Sequence, residues 1–467
     1  MQSTEISEAI FYPSVKRSSK KYKRLLKLHK WFGIVLTIFI VLFSLSGIFL
    51  NHRELISSVD VNRKYLPEVY RYNNWNLAAI RGNVNLPGDT NLVYGNIGAW
   101  KVSDGFTSWH EFNQGLPEGI DKRKISKILQ AGPNWYFAGT LFGLYEYKGT
   151  AWEKLSLPGS EQRITDLFFR DGLLHVLTRS HLLQADLSGS AMVFKEIQLP
   201  LPEDFDNKVS LFRTLWVIHS GEILGISGKL FSDVMGLVFI FFSVSGIILW
   251  LFPGLIKRLK KRKSSVKHQV NTLRWSLKWH NKIGYILTLF LIIITITGMF
   301  LRPPLLIPIA GSRVGKIPFT MLDDGNPWHD KLRACNWDHS SSRYILSTSD
   351  GFYYSEDHFL SPLKKFKIQP PVSVMGINVF EPIGHGGFLV GSFSGLFTWF
   401  PDKDYIENAI SRKEFQGQNK GGKPFSDDAI SGIIWTGEGK PILFDYANGA
   451  KAWMHENEIP NAPDEIL

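Results

Sequence analysis

The sequence predicts a membrane protein with three transmembrane helices and an all-β extracytoplasmic domain, a small β-propeller assembled from two lobes. Three observations predict it. Uncharged apolar runs of spanning length occur three times, the Lys and Arg residues crowd beside those runs, and short aromatic-rich β units recur in both intervening segments. The chain has 467 residues, 53 Lys+Arg against 42 Asp+Glu, 13% aromatic residues and 44% hydrophobic ones. That balance fits neither a disordered chain nor one long helical bundle. The single cysteine, Cys335, excludes a disulfide scaffold, a thiolate zinc site, a cysteine-held iron–sulfur cluster and covalent c-type haem.

Residues 1–30 read as a basic cytoplasmic tail, with eight bases between 16 and 30. Residues 31–51 are the first span, uncharged over WFGIVLTIFIVLFSLSGIFL, the ~20 residues a bilayer-crossing helix needs. A cleavable signal peptide is the competing reading; the run is too long and lacks a small-residue exit. Residues 52–212 form the first β lobe. Residues 213–252 are an amphipathic approach and the second span, apolar from Val234 to Phe252. The loop 253–282 carries ten bases and no acid. The third span covers 283–302 and the second β lobe 303–467. Outside residues 1–30 and 253–282 the chain holds 35 bases and 40 acids. The excess is therefore a positive-inside signal and not a nucleic-acid surface. It places the N terminus in the cytoplasm, both lobes outside and the C terminus with them. Trp31, Trp250, Trp275 and Trp279 fall at the inner boundary, where an interfacial aromatic belt belongs.

Spans one and three look duplicated. Aligning Leu28–Leu50 with Trp279–Leu301 matches His29 to His280, Gly33 to Gly284 and Gly47 to Gly298. Close helix packing is the simpler reading of the glycines. The lobes repeat too. Residues 135–147, 344–355, 388–400 and 442–453 each run strand, glycine-closed turn, strand; 92–102 fits with one residue fewer and 175–187 fits poorly. About three units per lobe suggest propeller blades, with one propeller shared by both lobes, and a looser β-sandwich as the alternative. The units resemble propeller modules found outside the membrane in some bacterial sensor proteins.

Histidines carry the candidate chemistry. His29 and His280 precede spans one and three at one depth on the inner side; His52 and His219 lie on the outer side. Two imidazoles from different helices are what b-type haem iron takes as axial ligands. His29 and His52 are 23 residues apart, about 34 Å along a helix and roughly 140° out of phase, so they share a face only if the helix end unwinds. Arg53, Lys229 and Arg302 are candidate partners for haem propionates on the outer face. Glu222 and Asp233 are acids at the outer mouth of span two. His339, His358 and His385 show no metal-ligand spacing, and Cys335 reads as a small core residue. Gly221–Lys229 lacks the spacing of a phosphate loop.

The stretches KLHKWFGIVLTIFIVLFSLSGIFLNH, IHSGEILGISGKLFSDVMGLVFIFFSVSGIILW and LKWHNKIGYILTLFLIIITITGMFL resemble the spans of PepSY-associated transmembrane proteins, the H-S-G-E-I-L-G run being the most specific part. The resemblance implies a bacterial inner-membrane protein, and for some members an iron-regulated reductase that binds two b haems and reduces ferric siderophores. Carried over by position, it implies His29, His52, His219 and His280 as ligands of one or two haems. It also implies electron-transfer oxidoreductase activity in iron uptake, drawing on a quinol or cytoplasmic donor and serving a ferric chelate or periplasmic partner. The strand-rich outside lobes depart from the family's usual helical or PepSY-like domains. A membrane-anchored propeller acting as a non-catalytic sensor, binding or assembly module is the alternative.

Overall fold

The computed structural model describes residues 20–452 apart from 89, 104–105, 134, 190–191, 374–375, 416–425 and 438. Lys16, Arg17 and the final residue of the 442–453 repeat lie outside the described residues. The chain divides into two compact units, residues 1–53 with 207–324, and residues 54–206 with 325–467.

Among its described residues the first unit holds four α-helices of eight residues or more: α1 (Lys20–Asn51), α2 (Leu211–Ser220), α3 (Gly225–Lys261) and α4 (Lys267–Met299). Helices α1, α3 and α4 are long and apolar enough to cross a membrane. Each exceeds its apolar run, because the Lys-rich flanks are good helix formers and continue the helix past the bilayer boundary. The apolar surfaces are turned outward, with Phe43 71% and Ile38 69% exposed, as lipid-facing side chains must be. The H-S-G-E-I-L-G-I-S-G stretch is the α2–α3 corner. Gly221 ends α2 in the left-handed conformation (φ 78°), and a Cβ there would collide with the Gly228 carbonyl. Gly225 also has positive φ (64°). Glycine is required at Gly221 because the backbones touch, and at both positions because the positive φ strains any side chain.

The second unit is a six-bladed β-propeller. Residues 82–197 supply three four-stranded antiparallel blades, residues 332–408 two more, and residues 430–452 a sixth with three strands among the described residues. The first strand of each blade is innermost and lies beside the first strands of the blades before and after it, so the ring closes. Polar side chains on these strands clasp the next blade. Ser126 donates to Ile164 O (3.0 Å), Asp166 accepts from Cys335 N (3.0 Å), Asn336 donates to Phe380 O (3.1 Å) and Asn378 to Ile430 O (2.8 Å). At the closure Asn83 both donates to Trp435 O (2.8 Å) and accepts from Trp435 N (3.1 Å). Trp75, Ala79 and Ile80 pack with Ile434, Ile442 and Phe444, and Ala450 N donates to Asn74 O (2.7 Å). The start of the first lobe thus packs against the last blade where the ring closes.

Residues 175–187, which fit the repeat poorly, nevertheless form the central hairpin of blade three. The turn has no glycine; Thr178 Oγ1 accepts from Ser180 N (3.2 Å) and His181 N (2.9 Å) instead. Thr140, Thr348, Ser392 and Asp445 do the same in blades two, four, five and six. The side-chain acceptor at the first turn position is found in five of the six blades, as is the closing glycine; blade one has Gly95 at the first position and Gly98 at the last, and blade three has the acceptor alone. Cys335 is buried in the core between blades three and four.

Candidate functional site

His29 and His280 meet. Their ring centres are 6.2 Å apart with planes at 69°. Two nitrogens each ~2 Å from one metal, with about 1 Å from each nitrogen to its ring centre, give roughly 6 Å between centres. Rings sharing such an axis are free to adopt any mutual angle. An edge-to-face ring contact spans the same distance, so the spacing is compatible with both.

The surroundings of His280 discriminate further. Ser245 Oγ donates to Phe241 O (2.7 Å) and so accepts from His280 Nδ1 (2.8 Å), leaving the Nε2 lone pair for a metal. That arrangement fixes ring orientation and tautomer as the outer partner of a metal-bound imidazole does. Helices α1 and α4 each pack along α3 and touch one another little. Gly33 and Gly284 lie one turn beyond His29 and His280. A Cβ on Gly33 would meet nothing within 4 Å, and one on Gly284 only the Phe242 ring edge at 3.8 Å. Close packing therefore does not account for Gly33, nor for Gly47, which also faces open space. A haem held by these two histidines would need such clearance beside them. The Phe242 ring, 4.9 Å from that of His280, forms one wall. The residues present fit a haem here.

The outer histidines are not brought together in this way; among the described residues His29–His280 is the only histidine–histidine ring contact. Helix α1 ends at Asn51, and His52 Nε2 binds Asp233 Oδ2 at 2.7 Å, while Asn51 Nδ2 donates to Asp233 Oδ1 at 2.9 Å. The nitrogen that usually faces iron is engaged by a carboxylate. His219 resembles His280 instead. Its Nδ1 donates to Ile294 O (3.0 Å), which keeps Nε2 unprotonated, and its ring lies on Gly298, where a Cβ would come within 2.8 Å of Cε1. Gly298 is thus a packing glycine, but its partner is an imidazole and not a helix backbone. Of the charged candidates, Lys229 faces Glu222 at 3.9 Å, Arg53 opens the short helical turn after His52, and Arg302 lies exposed just past α4. Sequence reasoning missed Ser245 and Ser220, which accepts from Asn51 Nδ2 at 3.4 Å. Their only sequence signal is small-residue composition. Among the described residues no three His, Cys, Asp or Glu converge as a metal site.

No curated protein matches the chain. Among solved structures it is similar to the extracellular domains of two hybrid two-component systems of B. thetaiotaomicron. One shows 10% identity over 81% of this chain and 39% of that one, TM-score 0.37; the other 9% identity over the same shares, TM-score 0.35. PorZ, a surface component of the type-IX secretion system of Porphyromonas gingivalis, gives 10% identity, 79% and 38% coverage, and TM-score 0.35. The chain spans about two fifths of the length of each. The family described as the PepSY-associated TM region matches residues 8–252 and 188–332, most of the chain and all three spanning helices. This protein is therefore a member of the PepSY-associated transmembrane family.

Proposed function

We propose that His29 and His280 hold one b-type haem between α1 and α4, and that the protein moves electrons across the bacterial inner membrane to an acceptor outside. The observation that carries this reading is the paired imidazole geometry, with Ser245 orienting His280 and Gly33 leaving clearance. A bound haem supplies one-electron chemistry there. The chain's own residues bind the iron, set the ligand tautomer and exclude lipid and water with the Phe242 wall.

In this reading the N terminus is cytoplasmic, because the basic ends of the helices lie on that side. The donor is a quinol or a cytoplasmic reductant, and the acceptor class is a ferric chelate or periplasmic partner recognised by the propeller. A second haem on His52 and His219, with Arg53, Lys229 and Arg302 toward its propionates, requires His52 to release Asp233. The test is a redox-difference spectrum with haem quantification on protein from haem-replete cells. One haem per chain, lost in His280→Ala with the fold intact, supports the proposal. A colourless preparation removes it and leaves a tethered propeller that binds or senses.

A further inference from the structure

The ring contact of His29 with His280 sets the start of α1 beside the start of α4, and the His52–Asp233 bond sets its end beside the start of α3. The basic start of α1, basic end of α3 and basic start of α4 therefore share one end of the unit. Residues 20–30 and 253–282 contribute sixteen Lys and Arg there, without a single Asp or Glu. Trp31 and Trp250, 50% and 40% exposed, and Trp279 mark the headgroup level, with Lys30 and Lys282 over the indoles of Trp31 and Trp279 (5.5 and 5.2 Å). The headgroup layer is only ~6 Å deep on each side. At ~1.5 Å per residue, Lys20 stands about 16 Å beyond Trp31, Lys261 about 16 Å beyond Trp250 and Lys267 about 18 Å beyond Trp279. Lipid phosphates can neutralise the near tier. The far tier rises past them into water as three helical posts.

We propose that this far tier is a docking surface for a small acidic soluble protein that carries single electrons, of the ferredoxin class, and that it delivers them to the iron held by His29 and His280. The electron role rests on the haem reading above; the docking surface rests on charge and height alone. One electron leaves the carrier's reduced iron–sulfur cluster, which is oxidised, and reduces ferric iron to ferrous; no bond forms or breaks and no proton moves. Opposite charge raises encounter rates by roughly 10- to 1,000-fold at low salt, and the advantage falls as salt screens it.

The experiment uses the full chain in nanodiscs of zwitterionic lipid, with labelled ferredoxin as the probe. Binding is read by fluorescence anisotropy and haem reduction by stopped flow. The variant Lys20→Gln/Lys21→Gln/Lys23→Gln/Arg24→Gln removes four far-tier charges and leaves the histidines alone. Expected are unchanged haem content, binding at least tenfold weaker, and a comparable loss in wild type at high salt, with reduction slowed in step. Unchanged ferredoxin binding overturns the proposal, and if the variant loses only retention on phosphatidylglycerol vesicles the surface is a lipid site. Equal, equally salt-sensitive binding of a charge-matched acidic protein without a redox centre also overturns the carrier assignment. Colourless protein that still binds ferredoxin in a salt-dependent way keeps the docking surface and removes the haem reading.

Discussion

The inner and outer histidines occupy the two ends of one set of helices, yet their ring nitrogens are spent differently. His280 gives Nδ1 to a serine and His219 gives Nδ1 to a backbone carbonyl, so both keep Nε2. His52 gives Nε2 to Asp233. The Asp233 carboxylate ties His52 to α3 through Nε2, whereas the serine on His280 leaves that nitrogen open. Under the proposed reading, what separates a metal ligand from a structural histidine here is which nitrogen its neighbour takes.

The largest effect that tests this contrast is on cofactor content. His280→Ala is expected to abolish the inner haem completely and His52→Ala to leave it in place, measured as the haem-to-protein ratio; equal loss in both variants erases the distinction. Ser245→Ala keeps the ligand but frees its ring, and a haem affinity lower by ~10- to 100-fold is expected from titration of the apoprotein.

The propeller offers a third kind of buried imidazole. His175 stacks on Phe168 at 4.2 Å, and burial pushes it down to about 4. The unfolded chain takes up this proton below pH ~6.5, and the folded one refuses it until about pH 4. Stability from this site is therefore full above pH 6.5 and lost progressively from there down to pH 4. At pH 5 the loss is about 2 kcal/mol. His175→Phe should flatten that part of the pH profile of thermal unfolding; an unaltered profile shows that His175 titrates normally. Smallest is the glycine comparison. Gly298→Ala presses on His219 and should cost ~1–3 kcal/mol, while Gly47→Ala, facing open space, should stay within about 0.5 kcal/mol, both read from unfolding in detergent.

Much of the architecture was legible from residue order. Three apolar runs bounded by lysines define spans because a bilayer core tolerates no unpaired backbone group and few charges. The strand–turn–strand units declared blades because β-rich runs with turn residues at fixed offsets have few other ways to bury both faces. Thr178 shows the limit of that grammar: its hydroxyl holds the turn as that of Thr140 does in blade two, but His181 stands where Gly143 closes the other, and a search for glycine alone passes it by. The pairing of His29 with His280 was legible through duplication, since matched positions in matched helices lie at matched depth.

The number of blades, six, came only from ring closure, where Asn74 and Trp75 meet the last blade across more than 350 residues of chain. The engagement of His52 by Asp233 was equally invisible, because the two are 181 residues apart and belong to no shared repeat. Local pattern determines which elements form, since periodicity and turn chemistry act over a few residues. Which side-chain atom remains free for chemistry is set by neighbours from distant segments, and those meet only in the packed fold.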